Sequence, residues 1–506
     1  MSIAILFAAV LLILCETGKG WAFHNGGVGP CEGCHTMHNS ITTGTTPSLE
    51  PNQLSENGNV TGWTGVGYGV NAVVNRGGSV GSAPSTYLLR GFDPSSTCLN
   101  CHEETGKSTA QYLISTAPSD MPAGSAPIEL TPGGDFGWIK KTYAWGTYSD
   151  PGDLHGHNIV ANDFYYSVGP DWAGQTAPGG TYPASDLTCV SCHDPHGTYR
   201  RKPDGSITNS PSAGPVIASG SYNTSPSPGA GQTVGAYRLL GGVGYLPSYL
   251  SANPSYAFTY PSPAAIAPSV YNQSERYDQV RVAYGNDPTN GGGMSDWCRN
   301  CHSTIHIGSG PYPNNFLSQA YSFPSVHQSG TINPISPSND QLGSYISGSY
   351  ISYIASGNYN GSSSTSYWSL TPFEEGTANY TTLASHANSN GTYLSGPAST
   401  DFVSCMSCHR AHASGWDYLM RFKYNGVNDG ENGFSETITD SNNGTSVWPG
   451  TDTTPNDPNN AMGRTSAETQ QAYYDRLASQ FRANETTLCN KCHIGTVNGP
   501  TGQSGY

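Results

Sequence analysis

The pattern C-x-x-C-H occurs six times in this 506-residue chain. The copies run Cys31–His35 (CEGCH), Cys98–His102 (CLNCH), Cys189–His193 (CVSCH), Cys298–His302 (CRNCH), Cys405–His409 (CMSCH) and Cys489–His493 (CNKCH). They use 12 of the 13 cysteines, where composition alone would give on the order of 0.01 copies. C-x-x-C-H is the attachment pattern of a c-type haem. Each thiol adds to one vinyl group of the porphyrin and forms a thioether. Two intervening residues set the sulfurs on one helical turn at the spacing of the vinyls, and the next residue lies under the iron as its proximal imidazole. Zinc and redox readings fit less well. A four-cysteine zinc site needs two C-x-x-C pairs and no histidine after each. A thioredoxin-like motif stands once, near a βαβ pattern. Six covalent haems c are therefore expected. They would sit on Cys31 and Cys34, Cys98 and Cys101, Cys189 and Cys192, Cys298 and Cys301, Cys405 and Cys408, and Cys489 and Cys492. The proximal ligands would be His35, His102, His193, His302, His409 and His493.

Such a cofactor load answers a difficulty in the composition. Only 11% of residues are charged and 35% hydrophobic, with 63 Gly and 36 Pro, too little apolar side chain for an ordinary core. Six flat apolar macrocycles supply what the side chains lack. Residues 23–506 are expected to form one hexahaem unit with no boundaries at the motifs. Met1 to Leu14 is a short apolar run, and Gly20-Trp21-Ala22 fits a cleavage site before Phe23, so 1–22 reads as a signal peptide, although its basic start is missing. No later run reaches the roughly 18 apolar residues of a membrane helix. An exported protein without a membrane span is expected, which agrees with haem attachment outside the cytoplasm. The formal charge of −15 argues against nucleic acid as a partner.

Regular structure should be sparse. Thr465-Ser-Ala-Glu468 is a capping box that predicts a helix over 466–483, with Tyr473 or Tyr474, Leu477 and Phe481 on one face. Elsewhere turn residues interrupt the apolar runs, as in Thr131-Pro-Gly-Gly-Asp135 and Ala177-Pro-Gly-Gly-Thr181. The basic run Arg200-Arg201-Lys202 reads as a solvated face or a propionate contact. The Tyr-rich stretch 343–360 reads as a surface insert.

Nine histidines remain: His24, His38, His155, His157, His196, His306, His327, His386 and His412. That is enough to give every iron a second imidazole. A haem with two imidazoles has no open position and suits electron transfer rather than bond-making. His38, His196 and His412 each stand three residues after a proximal histidine, and His306 stands four after His302. A residue one turn past the proximal ligand cannot fold back to the far face of its own haem. It must reach a neighbouring iron, so the haems should pack closely. His24, His157, His327 and His386 are further distal candidates, and His157 is preferred over its competitor His155.

The chain resembles a known family, the extracellular hexahaem c-type cytochromes of metal-reducing bacteria that polymerise into filaments, the OmcS type. The matching pieces include FHNGGVGPCEGCHTMHNS from Phe23, TPGGDFGWIKKTYAW from Thr131, GHNIVA from Gly156 and CHDPHGTYRR from Cys192. They continue with GAYRLLGGVGY from Gly235, RVAYG from Arg281, LTPFEEGTANY from Leu370, CHRAHASG from Cys408 and LCNKCH from Leu488. The 343–360 insert and the loop around 440–460 depart from the pattern. The resemblance implies a mostly irregular fold with a few short helices and minimal strand, wrapped around a continuous chain of bis-histidine haems in alternating parallel and T-shaped pairs. It implies head-to-tail homopolymers at the cell surface that deliver electrons to external acceptors, such as metal oxides or partner cells, and to other cytochromes. It also implies that His38 ligates an iron of the adjacent subunit, at the site of Cys405, Cys408 and His409. Two other readings share the haem motifs: a monomeric exported electron shuttle, and a multihaem reductase. The reductase would need an open iron, for which no motif gives a sign.

Overall fold

The computed structural model describes residues 31–35, 89, 91, 93–104, 113–145, 147–169, 172–247, 253–268, 282–287, 292–303, 371–387, 400–422 and 463–475. Turns, bends and extended coil dominate these segments. The helices among them are short: α1 (Cys31–Cys34), α2 (Pro94–His102), α3 (Cys189–Cys192), α4 (Met294–Cys298), α5 (Tyr380–His386), α6 (Cys405–Cys408) and α7 (Ser466–Ala472). Five of the seven carry cysteines of the C-x-x-C-H motifs. Helix is therefore spent mainly on setting sulfur pairs.

Strands β1 (Glu103–Glu104), β2 (Ser115–Thr116), β3 (Tyr143–Trp145), β4 (Tyr148–Asp150), β5 (Arg200–Arg201), β6 (Ile207–Thr208) and β7 (Val234–Gly235) precede a larger group. That group is β8 (Ala265–Ile266), β9 (Ala283–Gly285), β10 (Phe373–Glu375) and β11 (Phe402–Val403), which form a sheet in the order β11-β10-β9-β8. The central pair β9–β10 is parallel and both outer pairs are antiparallel. Its sequence, Ala264-Ala-Ile-Ala267 beside Val282-Ala-Tyr284, is apolar without alternation, as a sheet buried on both faces requires. Successive residues split between two clusters. Ile266 and Ala283 pack with Val234, Tyr380 and Leu383 on one face. Ala265, Ala267, Val282 and Tyr284 pack on the other with Met294 of α4, Met406 of α6 and Cys192. One face thus rests on three attachment segments and fixes their relative positions.

Two expectations from sequence are corrected. The Thr465–Glu468 capping box forms, but α7 ends at Ala472 because Tyr474 and Asp475 take left-handed backbone, with φ of 60° and 58°. Residues 476–483 lie outside the described segments. Nor is the Arg200-Arg201-Lys202 run a solvated face. Arg201 is fully buried, donating to the carbonyls of Ala265 (3.4 Å) and Ala378 (2.5 Å), and its guanidinium ties β5 to the sheet. The 343–360 stretch lies outside the described residues.

Candidate functional site

Five of the six motifs fall among the described residues, and four of these share one closure. The amide of His35, His193, His302 and His409 donates to the carbonyl of its own motif's first cysteine at 2.8, 3.0, 3.0 and 2.8 Å. That single helical hydrogen bond places both sulfurs on one turn. Reciprocal caps start the turn in two motifs: Thr188 with Ser191, and Ser404 with Ser407. His193 and His409 then leave the helix in extended backbone, which turns the ring away from the helix axis.

A backbone carbonyl orients most of these rings. Nδ1 of His193 meets the carbonyl of Arg238 at 2.7 Å, and Nδ1 of His409 that of Tyr418 at 2.8 Å. Nδ1 of His302 meets Pro178 O at 2.9 Å, and Nδ1 of His157 meets Ala411 O at 2.7 Å. Nδ1 of His386 meets a Glu375 carboxylate oxygen at 2.5 Å. A carbonyl cannot donate, so each Nδ1 facing one carries the proton and Nε2 keeps its lone pair for a metal. The supports at Arg238 and Tyr418 have the same form. Arg238 and Leu239, and likewise Tyr418 and Leu419, are consecutive left-handed residues. Each pair turns two carbonyls toward the motif, the second accepting from the residue after the histidine, Asp194 or Arg410, at 2.7 Å.

Nearby turns also serve as supports. Pro178 and Gly180 belong to Ala177-Pro-Gly-Gly-Thr181, and a side chain on Gly180 would collide with the Cys301 carbonyl. Thr131-Pro-Gly-Gly-Asp135 holds His412: the Gly133 carbonyl accepts from its amide at 2.6 Å, and Phe136 stacks on its ring at 4.6 Å. Gly134 has φ of 90° and sits where a Cβ would strike the Ala413 carbonyl, so only glycine fits.

Three imidazole pairs result. The rings of His35 and His196 face each other with centroids 6.3 Å apart and planes within 9°. His193 faces His412 at 6.4 Å, and His302 faces His157 at 6.2 Å. Two metal–nitrogen bonds of about 2.0 Å, each with about 1.2 Å from nitrogen to ring centre, put such centroids about 6.4 Å apart. Every pair joins a motif histidine to one from another segment, so the donor set fits a bis-imidazole iron. Burial lowers the pKa of His412 to about 3, assisted by His193, and burial also lowers that of His157. Both are then neutral near pH 7, the form that binds metal.

Successive motifs also touch. The side chains of Cys98 and Cys189 lie against each other, as do those of Cys298 and Cys405. The amide of Cys189 donates to Ser95 Oγ at 2.9 Å, and that of Cys405 to Ser295 Oγ at 3.0 Å. His157 and His412 lie on bridged segments, with the His157 amide donating to the His412 carbonyl at 2.9 Å. No disulfide joins the ten described motif cysteines. Burial raises the thiol pKa of Cys192 and Cys301, and a buried apolar sulfur suits a thioether.

His155 is occupied otherwise. It is fully buried, with Nδ1 3.1 Å from the Trp138 carbonyl and Nε2 3.2 Å from Asp150 and 3.6 Å from Asp417. Arg464 reaches the same Asp150 carboxylate at 2.7 Å and lies 3.2 Å from Nε2. Burial alone would lower the His155 pKa, but Asp150 overrides it and raises it to about 9. Asp150, His155 and Asp417 converge like metal ligands. The Arg464 guanidinium and the protonated His155 supply the positive charge there, so the cluster is an ion-pair network tying the residues just before α7 to β4.

His24, His38, His306, His327, Cys489, Cys492 and His493 lie outside the described residues. Sequence reasoning missed the carbonyl supports. A weak signal existed: Leu-Leu or Leu-Met follows tyrosine or arginine at 87–89, 238–240 and 418–420, and Leu89, Leu240 and Met420 each bridge a motif histidine.

No family model matches the chain. It is 43% identical over 497 residues to the C-type cytochrome OmcS of Geobacter sulfurreducens, covering 97% of this chain and 98% of that protein. Two solved structures share its fold at 43% identity, each covering 93% of this chain and 99% of theirs. One is the cryo-EM structure of OmcS nanowires from Geobacter sulfurreducens, with a TM-score of 0.69. The other is the outer membrane cytochrome S filament from the same organism, with a TM-score of 0.68. A shared fold at this identity, with attachment turns and facing imidazoles in place, makes this chain a member of the OmcS family of c-type cytochromes, which hold their haem covalently.

Proposed function

We propose that this protein moves electrons over long distances through six bis-histidine haems, as the repeating subunit of an extracellular filament. One observation carries the reading: three motif histidines each face a second imidazole from another segment at the separation one iron requires. A haem held this way passes single electrons with little rearrangement. The chain's own part is to fix spacing and exclude water. Carbonyls lock the rings, the β8–β11 sheet locks three attachment segments, and capping serines join neighbouring motifs.

The pairs support assembly by their order. His196 follows the third motif and faces the histidine of the first. His412 follows the fifth and faces that of the third. Each histidine at the plus-three position therefore serves the motif two places earlier. His38 follows the first motif, and two places earlier in a six-motif repeat is the fifth motif of the neighbouring subunit. His38 would then complete the iron of His409 across a subunit junction. Such a contact is heterologous and does not close, which generates a helical fibre. His24, His306, His327 and His386 are the remaining candidates for the irons on His102 and His493. Residues 1–22 serve as the export signal in this reading. Among the described residues no helix is long and apolar enough to cross a membrane. Metal oxides and other cytochromes are the acceptors that suit a surface filament.

Electron microscopy of the purified protein tests the reading directly, together with intact mass. Filaments and the mass of six haems are expected; soluble monomers with six haems would favour the shuttle. His38→Ala should keep six covalent haems, because attachment uses only the motif residues, and should lose filaments. Normal filaments with six low-spin haems in that variant would remove His38 from the junction.

A further inference from the structure

Glu374 on β10 is fully buried between the fourth and fifth attachment segments. Its Oε1 accepts from the Ser295 amide at 2.7 Å, from Ser295 Oγ at 2.7 Å and from Ser404 Oγ at 2.9 Å. Ser295 opens α4 and Ser404 caps α6, so one oxygen caps α4 and holds the hydroxyl of the residue that caps α6. Ser295 Oγ also accepts from the Cys405 amide at 3.0 Å, which closes the link. The helix start on α4 is Gly293, which has no side chain to cap with, and a Cβ there would collide with Glu374 Oε2. The carboxyl has taken over the cap from outside the helix.

Oε2 meets Asn286 Nδ2 at 2.6 Å, while Asn286 Oδ1 is buried without a partner. In this orientation the amide donates to the carboxylate. Turning the Asn286 amide by half a revolution gives a protonated Glu374 an acceptor. The structure therefore accommodates both states of the carboxyl without moving the cap on Oε1.

Charged groups on every surrounding element face this region. On α4, Asp296 is paired with Arg299 at 3.5 Å. On β10 and α5, Glu375 is paired with His386. Before β11, Asp401 accepts from the Gly376 amide at 3.0 Å. Asp287 follows Asn286 after β9. Arg421 gives its Nε to the Met406 carbonyl. Cys298 and Cys405 are the sulfur-bearing neighbours, and as thioethers they carry no charge. Burial raises the Glu374 pKa to about 7 against the hydrogen bonds from Ser295 and Asn286.

We propose that Glu374 is a proton-linked positioning residue: it holds the fourth and fifth attachment segments in register and takes up one proton when a site they carry gains one electron. The electron arrives from the adjoining site of the transfer chain, the proton arrives from solvent, and the carboxylate becomes a carboxylic acid. The local charge is unchanged by the pair of events. This rests on the reading that both segments bear haem.

Potentiometric titration of the purified holoprotein at pH 5, 7 and 9, followed by haem absorbance, tests it. In the unmodified protein part of the curve should move to lower potential as pH rises. In Glu374→Gln, which keeps the Oε1 cap, that part should stop moving. Identical pH dependence in both proteins would overturn the proposal. Asn286→Leu leaves every bond on Oε1 in place and strips the amide from Oε2, so the midpoint of the pH dependence should shift upward; an unshifted midpoint would count equally against it. Intact mass of the same samples counts the haems, so loss of the haem reading is distinguishable from loss of proton linkage.

Discussion

The second-to-third and fourth-to-fifth motif junctions are built to one plan from different materials. In both, the first cysteines of consecutive motifs touch, and a serine three residues before the earlier cysteine accepts the amide of the later one. In both, a buried carboxylate caps the earlier helix. At the first junction that carboxylate is local. Asp93 is the N-cap of α2, accepts from Ser96 at 2.7 Å and 2.9 Å, and extends to the Asn162 amide at 2.8 Å. At the second it is Glu374, which comes from 79 residues away to meet Ser295. A local cap forms with its helix, whereas a distant cap forms only once the sheet has folded. The second junction should therefore depend on tertiary structure in a way the first does not.

The largest effect that would expose this is expected from Glu374→Ala. It strands buried donors on Ser295, Ser404 and Asn286, costing on the order of 4 kcal/mol. Thermal unfolding should show the loss, with hydrogen exchange increased in 294–298 and 405–408. If exchange rises equally in 94–102, the junctions are not separate units.

Next in size is a pH effect confined to the second junction. The Glu374 pKa is raised from 4.5 to about 7, chiefly by burial, so between those values the folded state holds a proton that the unfolded chain lacks. Stability from this group is then greatest below about pH 4.5 and falls by about 3 kcal/mol as pH rises through 7. Melting temperatures at pH 5 and 8 should differ less in Glu374→Gln than in the unmodified protein. Equal differences would mean that Glu374 is ionised throughout.

Asp93→Ala should cost less, about 2 kcal/mol, because it removes an N-cap and one longer-range bond. Hydrogen exchange should increase in 94–102 and leave 294–298 unchanged. The smallest effect is expected from Gly293→Ala, about 1–2 kcal/mol, since its φ of −85° suits alanine and only the Glu374 and Asn286 side chains must shift. Combining it with Glu374→Ala should cancel part of that penalty. Additive losses would show that Gly293 is required for another reason.

Sequence by itself marked the residues expected to carry the chemistry. The six motifs name their cysteines and proximal histidines, and the plus-three histidines of the first, third and fifth motifs stand out by recurrence. The Thr465 capping box was equally legible, because it is written in contiguous residues. What the tertiary structure decided is which imidazole faces which, that His155 is an ion-pair member, and that Arg201 is interior. It also decided that Glu374 caps a helix elsewhere in the chain. The supports of the histidine rings were hidden most completely. They are backbone carbonyls of Pro178, Arg238, Ala411 and Tyr418, and every residue has a carbonyl. Hydrogen bonds made by the main chain leave almost no trace in side-chain identity. They are fixed only when turns, left-handed pairs and glycines bring distant segments to the same place.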